Sequence, residues 1–167
     1  ERKNVSAGIR AFKRFTEMPG TDGYRLVICG DGPMKDKLVS LSESLGVADR
    51  VDFISKLGKE ELLDFYNRMD VFANTSMHEG LGLTALEAQA CGTPVVFFRD
   101  AEIPKEATKH FVPSEGEEEF AQNMYRLVTD DSYRRSVTDG ASFGLDSEEY
   151  SKELFKIYSK VLGREFP

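Results

Sequence analysis

The chain has 167 residues, 40% of them hydrophobic and 31% charged, a composition that suits one globular domain able to bury roughly 70% of its unfolded surface. Acidic residues outnumber basic ones 29 to 22, and no block of Lys and Arg offers the basic stripe that nucleic acid or an anionic membrane surface requires. No apolar run approaches the roughly 18 residues of a membrane-crossing helix, and the two cysteines, Cys29 and Cys91, lack the paired C-x-x-C spacing of a zinc site or a disulfide framework. They read as reduced, buried thiols of a cytosolic chain.

Val5, Ile9, Phe12 and Phe15 fall at helical spacing, so residues 4–17 read as a helix, which Met18-Pro19-Gly20 stops. Tyr24–Cys29 is a short run rich in β-formers and reads as a buried strand ending in the turn Gly30-Asp31-Gly32-Pro33. Met34, Leu38, Leu41 and Leu45 repeat on one face of a second helix, closed by Gly46. Val51–Ile54 reads as a strand. Residues 59–68 form a helix with Leu62, Tyr66 and Met69 turned inward, and Val71–Asn74 is a third strand. A helix of small residues spans Leu83–Cys91. The breakers Gly92 and Pro94 introduce a fourth strand at Val95–Phe98, and Phe111-Val112 suggests a fifth. Two helices follow at about 117–129 and 147–162, the last with Tyr150, Leu154, Ile157 and Val161 on one face. The acids of Glu115–Glu119 suit a solvated loop and the first turn of a helix.

Strands and helices alternate, and the strands are continuous apolar runs. Both features predict an α/β fold: a Rossmann-like parallel sheet with helices on both faces. No internal repeat or low-complexity tract interrupts it. A first helix with no strand before it predicts that at least one strand lies upstream of Glu1, so the 167 residues read as a single domain belonging to something longer.

Open parallel sheets bind ligands where strand tips meet helix N-termini. The richest such junction runs from Asn74 to Pro94. Gly80 and Gly82 allow the backbone to approach a ligand closely, and the helix starting near Leu83 leaves free N–H groups around Gly82 to Thr84, as a phosphate site needs. Glu79 sits in the loop and Glu87 just over a turn into the helix. Helical side chains lean toward the N-terminus, so Glu87 should point back toward the strand tips, where a carboxylate accepts two hydrogen bonds from a ribose diol. The expected site is a diphosphate held by amide dipoles with a carboxylate at each end.

The run His78-Glu79-Gly80-Leu81-Gly82-Leu83-Thr84-Ala85-Leu86-Glu87-Ala88, followed by Cys91-Gly92-Thr93-Pro94-Val95-Val96, resembles the E-x7-E signature of retaining GT-B glycosyltransferases of the "glycosyl transferases group 1" (GT4) type. The likeness extends along most of the chain. Arg2-Lys3-Asn4 resembles the family segment that opens the first helix of the donor domain, Tyr24–Pro33 its second strand and Gly-x-Gly-Pro turn, and Phe143–Tyr158 its closing helix. One loop departs from it: Asp100 to Glu106 lacks the two glycines of the family's Gly-Gly-x-Pro-Glu, and no residue there is assigned a role.

The resemblance implies the C-terminal, donor-binding half of a two-domain enzyme that moves a sugar from a UDP- or GDP-sugar to an acceptor hydroxyl with retention of configuration. By that likeness Glu87 binds the ribose, Glu79 contacts the donor sugar and is the candidate catalytic carboxylate, Gly80, Leu81, Gly82 and Leu83 hold the diphosphate and sugar hydroxyls, and Lys3 neutralises phosphate. The nucleotide-sugar is substrate, with no cofactor and no metal expected. The partner is the N-terminal acceptor half, which would also carry any peripheral membrane contact of an otherwise cytoplasmic enzyme, and nucleic acid is not expected. Alone, this half should bind donor weakly and transfer nothing. The alternatives are a nucleotide-sugar epimerase of the same fold and a non-catalytic Rossmann-like binding domain. Gly30-Asp31-Gly32-Pro33 is not G-x-G-x-x-G and no ribose-binding acid follows at the expected distance, which argues against a nicotinamide site. His78 reads as a loop or packing residue in preference to a proton carrier, and His110 carries no assigned role.

Overall fold

A computed structural model describes residues 2–139. The helix expected at 147–162 lies outside the described residues, as does the Phe143–Tyr158 segment. Strands and helices alternate as β1 (Leu26–Cys29), β2 (Val51–Ile54), β3 (Phe72–Asn74), β4 (Val95–Phe98) and β5 (Val112–Ser114), with helices α1 (Val5–Thr16), α2 (Lys35–Ser44), α3 (Lys59–Asn67), α4 (Leu83–Ala90), α5 (Gly116–Thr129) and α6 (Asp131–Thr138). The predicted elements fall within a few residues of these. A short 3-10 turn at Ala48–Arg50 and helix α6 have no counterpart in the sequence reading. Helix α6 carries no fully buried residue and meets the core through only Tyr133 and Val137, too short a stripe to announce it; the Asp130 side chain starts it by accepting from the Tyr133 N–H at 2.9 Å.

All strand pairs are parallel, β1 with β2 and β3–β4–β5 in that order. The alternation along β4 shows how helices cover both faces. Val96 and Phe98 pack toward α1 and α5, with the Phe98 ring tilted against Phe120 at 4.6 Å, while Val95 and Phe97 pack toward α4, with Phe97 edge-on to Phe111 at 6.0 Å. Helix α1 seats Ile9, Phe12 and Phe15 in the larger of these cores. Arg50 ties the connection after it by donating to the carbonyls of Thr21 and Tyr24, with its guanidinium 5.6 Å above the Phe12 ring.

The sheet differs from expectation in one respect. It is divided into two, because β1 and β3 form no ladder with one another. A cavity of about 1210 Å³ is lined by both strands, by Gly8 and Phe12 of α1 and by Leu62 and Tyr66 of α3. Among the described residues β1 therefore pairs on one side only, and it alternates between half-buried Leu26 and Ile28 and exposed Val27 and Cys29. It is not the buried strand its apolar run suggests. The two thiols are free, as expected, but Cys29, at the end of the one-sided strand β1, is exposed and Cys91 is half-buried.

The acids of Glu115–Glu119 do open α5, yet two of them are not simply solvated. Glu117 accepts from Arg10 Nε at 2.7 Å and Glu118 from Arg14 Nη1 at 2.9 Å, which laces α5 to α1. Among the described residues no helix is long and apolar enough to cross a membrane.

Candidate functional site

The junction singled out in the sequence is built from three segments far apart in the chain. Strand β3 ends at Asn74, and the chain then runs through Thr75–Gly82 into α4. The start of the chain lies alongside. The Arg2 carbonyl accepts from the Met77 N–H at 2.9 Å, and the Lys3 carbonyl from Thr75 Oγ1 at 2.7 Å. Close approach of α1 to the segment just after β3 makes this possible: a Cβ on Gly8 would stand 2.8 Å from Thr75 Cγ2. On the other side, the loop after β4 bridges to the same segment. Glu102 donates its N–H to the Met77 carbonyl at 2.7 Å and accepts from the Glu79 N–H at 3.1 Å, and its carboxylate meets His78 Nδ1 at 2.8 Å. The sequence assigns Glu102 no role; two of its three contacts here are made by its backbone, to which side-chain motifs are blind.

Glu79 is thereby held at the carboxyl end of β3, its side chain only 15% exposed and 2.5 Å from Lys3 Nζ. Burial pushes its carboxyl pKa upward. Hydrogen bonds from Lys3 and Ser76, together with the charges of Lys3 and Arg2, more than offset that, so the net shift is downward and Glu79 is held as an anion. Lys3, expected to neutralise phosphate, is paired with this carboxylate while remaining 59% exposed. An ammonium has three donors, so one bond to Glu79 leaves others facing solvent.

Gly82 is the cap of α4 and has φ of +71°, the left-handed region that glycine enters without strain. It has no side chain to cap the first turn, and that turn holds no acid. The amides at Leu83 and Thr84 therefore head α4 with no acceptor inside the helix, and the partial positive charge there is not neutralised from within. Gly80 and Leu83 are exposed, and Leu81 packs beneath against the core that α4 shares with Val95 and Phe97.

Glu87, one turn further on, is exposed and accepts a 2.8 Å hydrogen bond on Oε2 from the hydroxyl of Tyr66 in α3. The sequence placed Tyr66 on the inward face of its helix but gave no hint of this bond. Cys91, beyond the end of α4, has its thiol pKa raised by burial first and by the Glu87 charge second, a shift that disfavours the thiolate.

The family model for "Glycosyl transferases group 1" matches residues 1–142. The chain belongs to this family of glycosyltransferases. A D-inositol 3-phosphate glycosyltransferase of Corynebacterium jeikeium is 37% identical over 167 residues, covering 92% of this group 1 chain and 39% of the relative. The counterpart in Corynebacterium urealyticum is 31% identical over 94% of the chain and again 39% of the relative, so the chain spans about two fifths of these curated relatives. The solved C-terminal domain of a group 1 family protein, LpcC of Francisella tularensis, superposes with a TM-score of 0.72 at 21% identity, covering 84% of the group 1 chain and 76% of that domain. A TarM variant of S. aureus, solved with fondaparinux, α-GlcNAc-glycerol and UDP, gives a TM-score of 0.78 at 18% identity over 96% of this chain and 33% of that one. The fold of the group 1 chain is thus that of a GT-B C-terminal domain.

Proposed function

We propose that the chain is the donor-binding half of a retaining glycosyltransferase that uses a UDP- or GDP-sugar and passes the sugar to an acceptor hydroxyl. One observation carries the reading. The first turn of α4 is uncapped and free of acid, and it lies between a carboxylate kept ionised by Lys3 and a second carboxylate one turn along. In this reading the amides from Gly80 to Leu83 stabilise charge on the departing diphosphate, assisted by the free donors of Lys3. Glu87 grips the ribose. Glu79, anionic across the working pH range, contacts the donor sugar and favours positive charge developing at its anomeric carbon. The donor is substrate, and no resident metal or cofactor is assigned. The family match and the UDP bound by a protein of the same fold support a nucleotide-sugar in preference to a dinucleotide.

Calorimetric titration with UDP, GDP and NAD tests this. One of the diphosphates should bind and NAD should not. Glu87→Ala should weaken that binding by about 1–3 kcal/mol through lost charge-assisted hydrogen bonds. Binding of NAD in preference to both diphosphates, or unchanged affinity in Glu87→Ala, would overturn the assignment.

A further inference from the structure

Glu87 is an exposed carboxylate on a short helix, and a long exposed side chain ordinarily samples several rotamers, which weakens any ligand it must meet in one of them. Here it is held from below. Tyr66 is 4% exposed, and its hydroxyl reaches Glu87 Oε2 at 2.8 Å across two different helices. Among the described residues it is the one hydrogen-bond partner of that carboxylate. Tyr66 is itself immobilised. Its ring lies against Phe72 of β3 at 6.3 Å between centroids, and its carbonyl accepts from the buried hydroxyl of Thr93, just beyond α4, at 2.9 Å. The residue therefore bonds to α4 and to the segment after it, through its side chain to Glu87 in mid-helix and through its backbone to Thr93.

We propose that Tyr66 is a positioning residue of the donor site, holding Glu87 in the rotamer in which its remaining oxygen lone pairs meet the two ribose hydroxyls of the nucleotide. This rests on the donor-site reading above. A phenol is suited to the task because it donates one hydrogen bond and brings no charge to compete with the diol. Burial and the Glu87 charge both raise the Tyr66 pKa, so its hydroxyl remains a donor at any working pH. A lysine in its place would form an ion pair and compete with the diol. A phenylalanine would leave the carboxylate free to swing into solvent.

Two variants and two ligands separate this role from a structural one. In the full chain, Tyr66→Phe keeps the ring against Phe72 and the backbone bond to Thr93, so its melting temperature should stay close to that of the parent. It should nevertheless weaken UDP or GDP, whichever binds, about tenfold. Affinity for the 2′,3′-dideoxy form of the same nucleotide, which has no diol, should stay within twofold of the parent's. On a Glu87→Ala background the same substitution should change affinity less than twofold, because there is no carboxylate left to position. Equal loss for the ribose and dideoxy nucleotides, no loss for either, or additive losses in the double variant would overturn the role of Tyr66 while leaving Glu87 as the ribose ligand. If Glu87→Ala alone binds the parent nucleotide unchanged, or neither UDP nor GDP binds, the donor-site reading fails instead.

Discussion

Glu79 and Lys3 have to be considered together, because each sets the state of the other. The carboxylate is largely enclosed, which would ordinarily favour its neutral form, and the ammonium 2.5 Å away reverses that. A carboxyl held below its ordinary pKa stabilises the fold above the usual carboxylate range, and that contribution is lost as pH falls through the folded-state value. Lys3→Met removes the main compensating donor and leaves the burial, so the Glu79 pKa should rise. A carbon-detected NMR titration of the Glu79 carboxyl would register the change, and urea melts below about pH 5 should show a smaller loss of stability on acidification in the variant than in the parent. An unmoved Glu79 titration would mean that Ser76 and Arg2 are sufficient. Both residues were named from sequence, but not their pairing. They stand 76 positions apart, and no local pattern links them.

At the scale of elements, the site depends on how tightly α1 lies on the segment after β3. Gly8 is the contact point, at the end of the first turn of α1, where glycine is otherwise less favourable than alanine by up to about 1 kcal/mol. The expected gain from Gly8→Ala should be outweighed by the clash of the new Cβ with Thr75 Cγ2, for a net loss of about 1–3 kcal/mol in denaturant melts. Thr75→Ser removes that methyl and keeps the hydroxyl bond to the Lys3 carbonyl, so the double variant should recover most of the loss. Gly82 works differently. A Cβ there meets nothing closer than Ile103 at 4.0 Å, so the penalty of Gly82→Ala is the left-handed backbone itself, about 1–2 kcal/mol. It should lower stability and nucleotide affinity together, because the same backbone aims the amides of α4. The Gly-x-Gly spacing marks this loop in the sequence, while the reason for Gly8 is absent from its own neighbourhood in the chain.

For the whole molecule, stability is concentrated where α1 and α5 close over β4 and β5. Phe120 is fully buried with its ring tilted against Phe98, and the Arg10–Glu117 and Arg14–Glu118 pairs close the same interface at its rim. Phe120→Ala should cost about 3–5 kcal/mol, a large share of the 5–15 kcal/mol typical of a domain, and chemical denaturation would measure it. Breaking the partly exposed Arg14–Glu118 pair should cost under about 1 kcal/mol in the same assay.

Hydrophobic periodicity, breakers and the run from His78 to Pro94 identified the alternating helices and strands, the parallel α/β class and the family, because each is encoded in residues adjacent or one turn apart. The folded chain alone decided the partners: Lys3 on Glu79, Tyr66 beneath Glu87, the Glu102 backbone under His78, and the division of the sheet between β1 and β3 that exposes Cys29. These contacts join segments from about twenty to seventy-six positions apart. They arise when burying separate apolar faces brings polar side chains together, and a short window of sequence contains only one side of each pair.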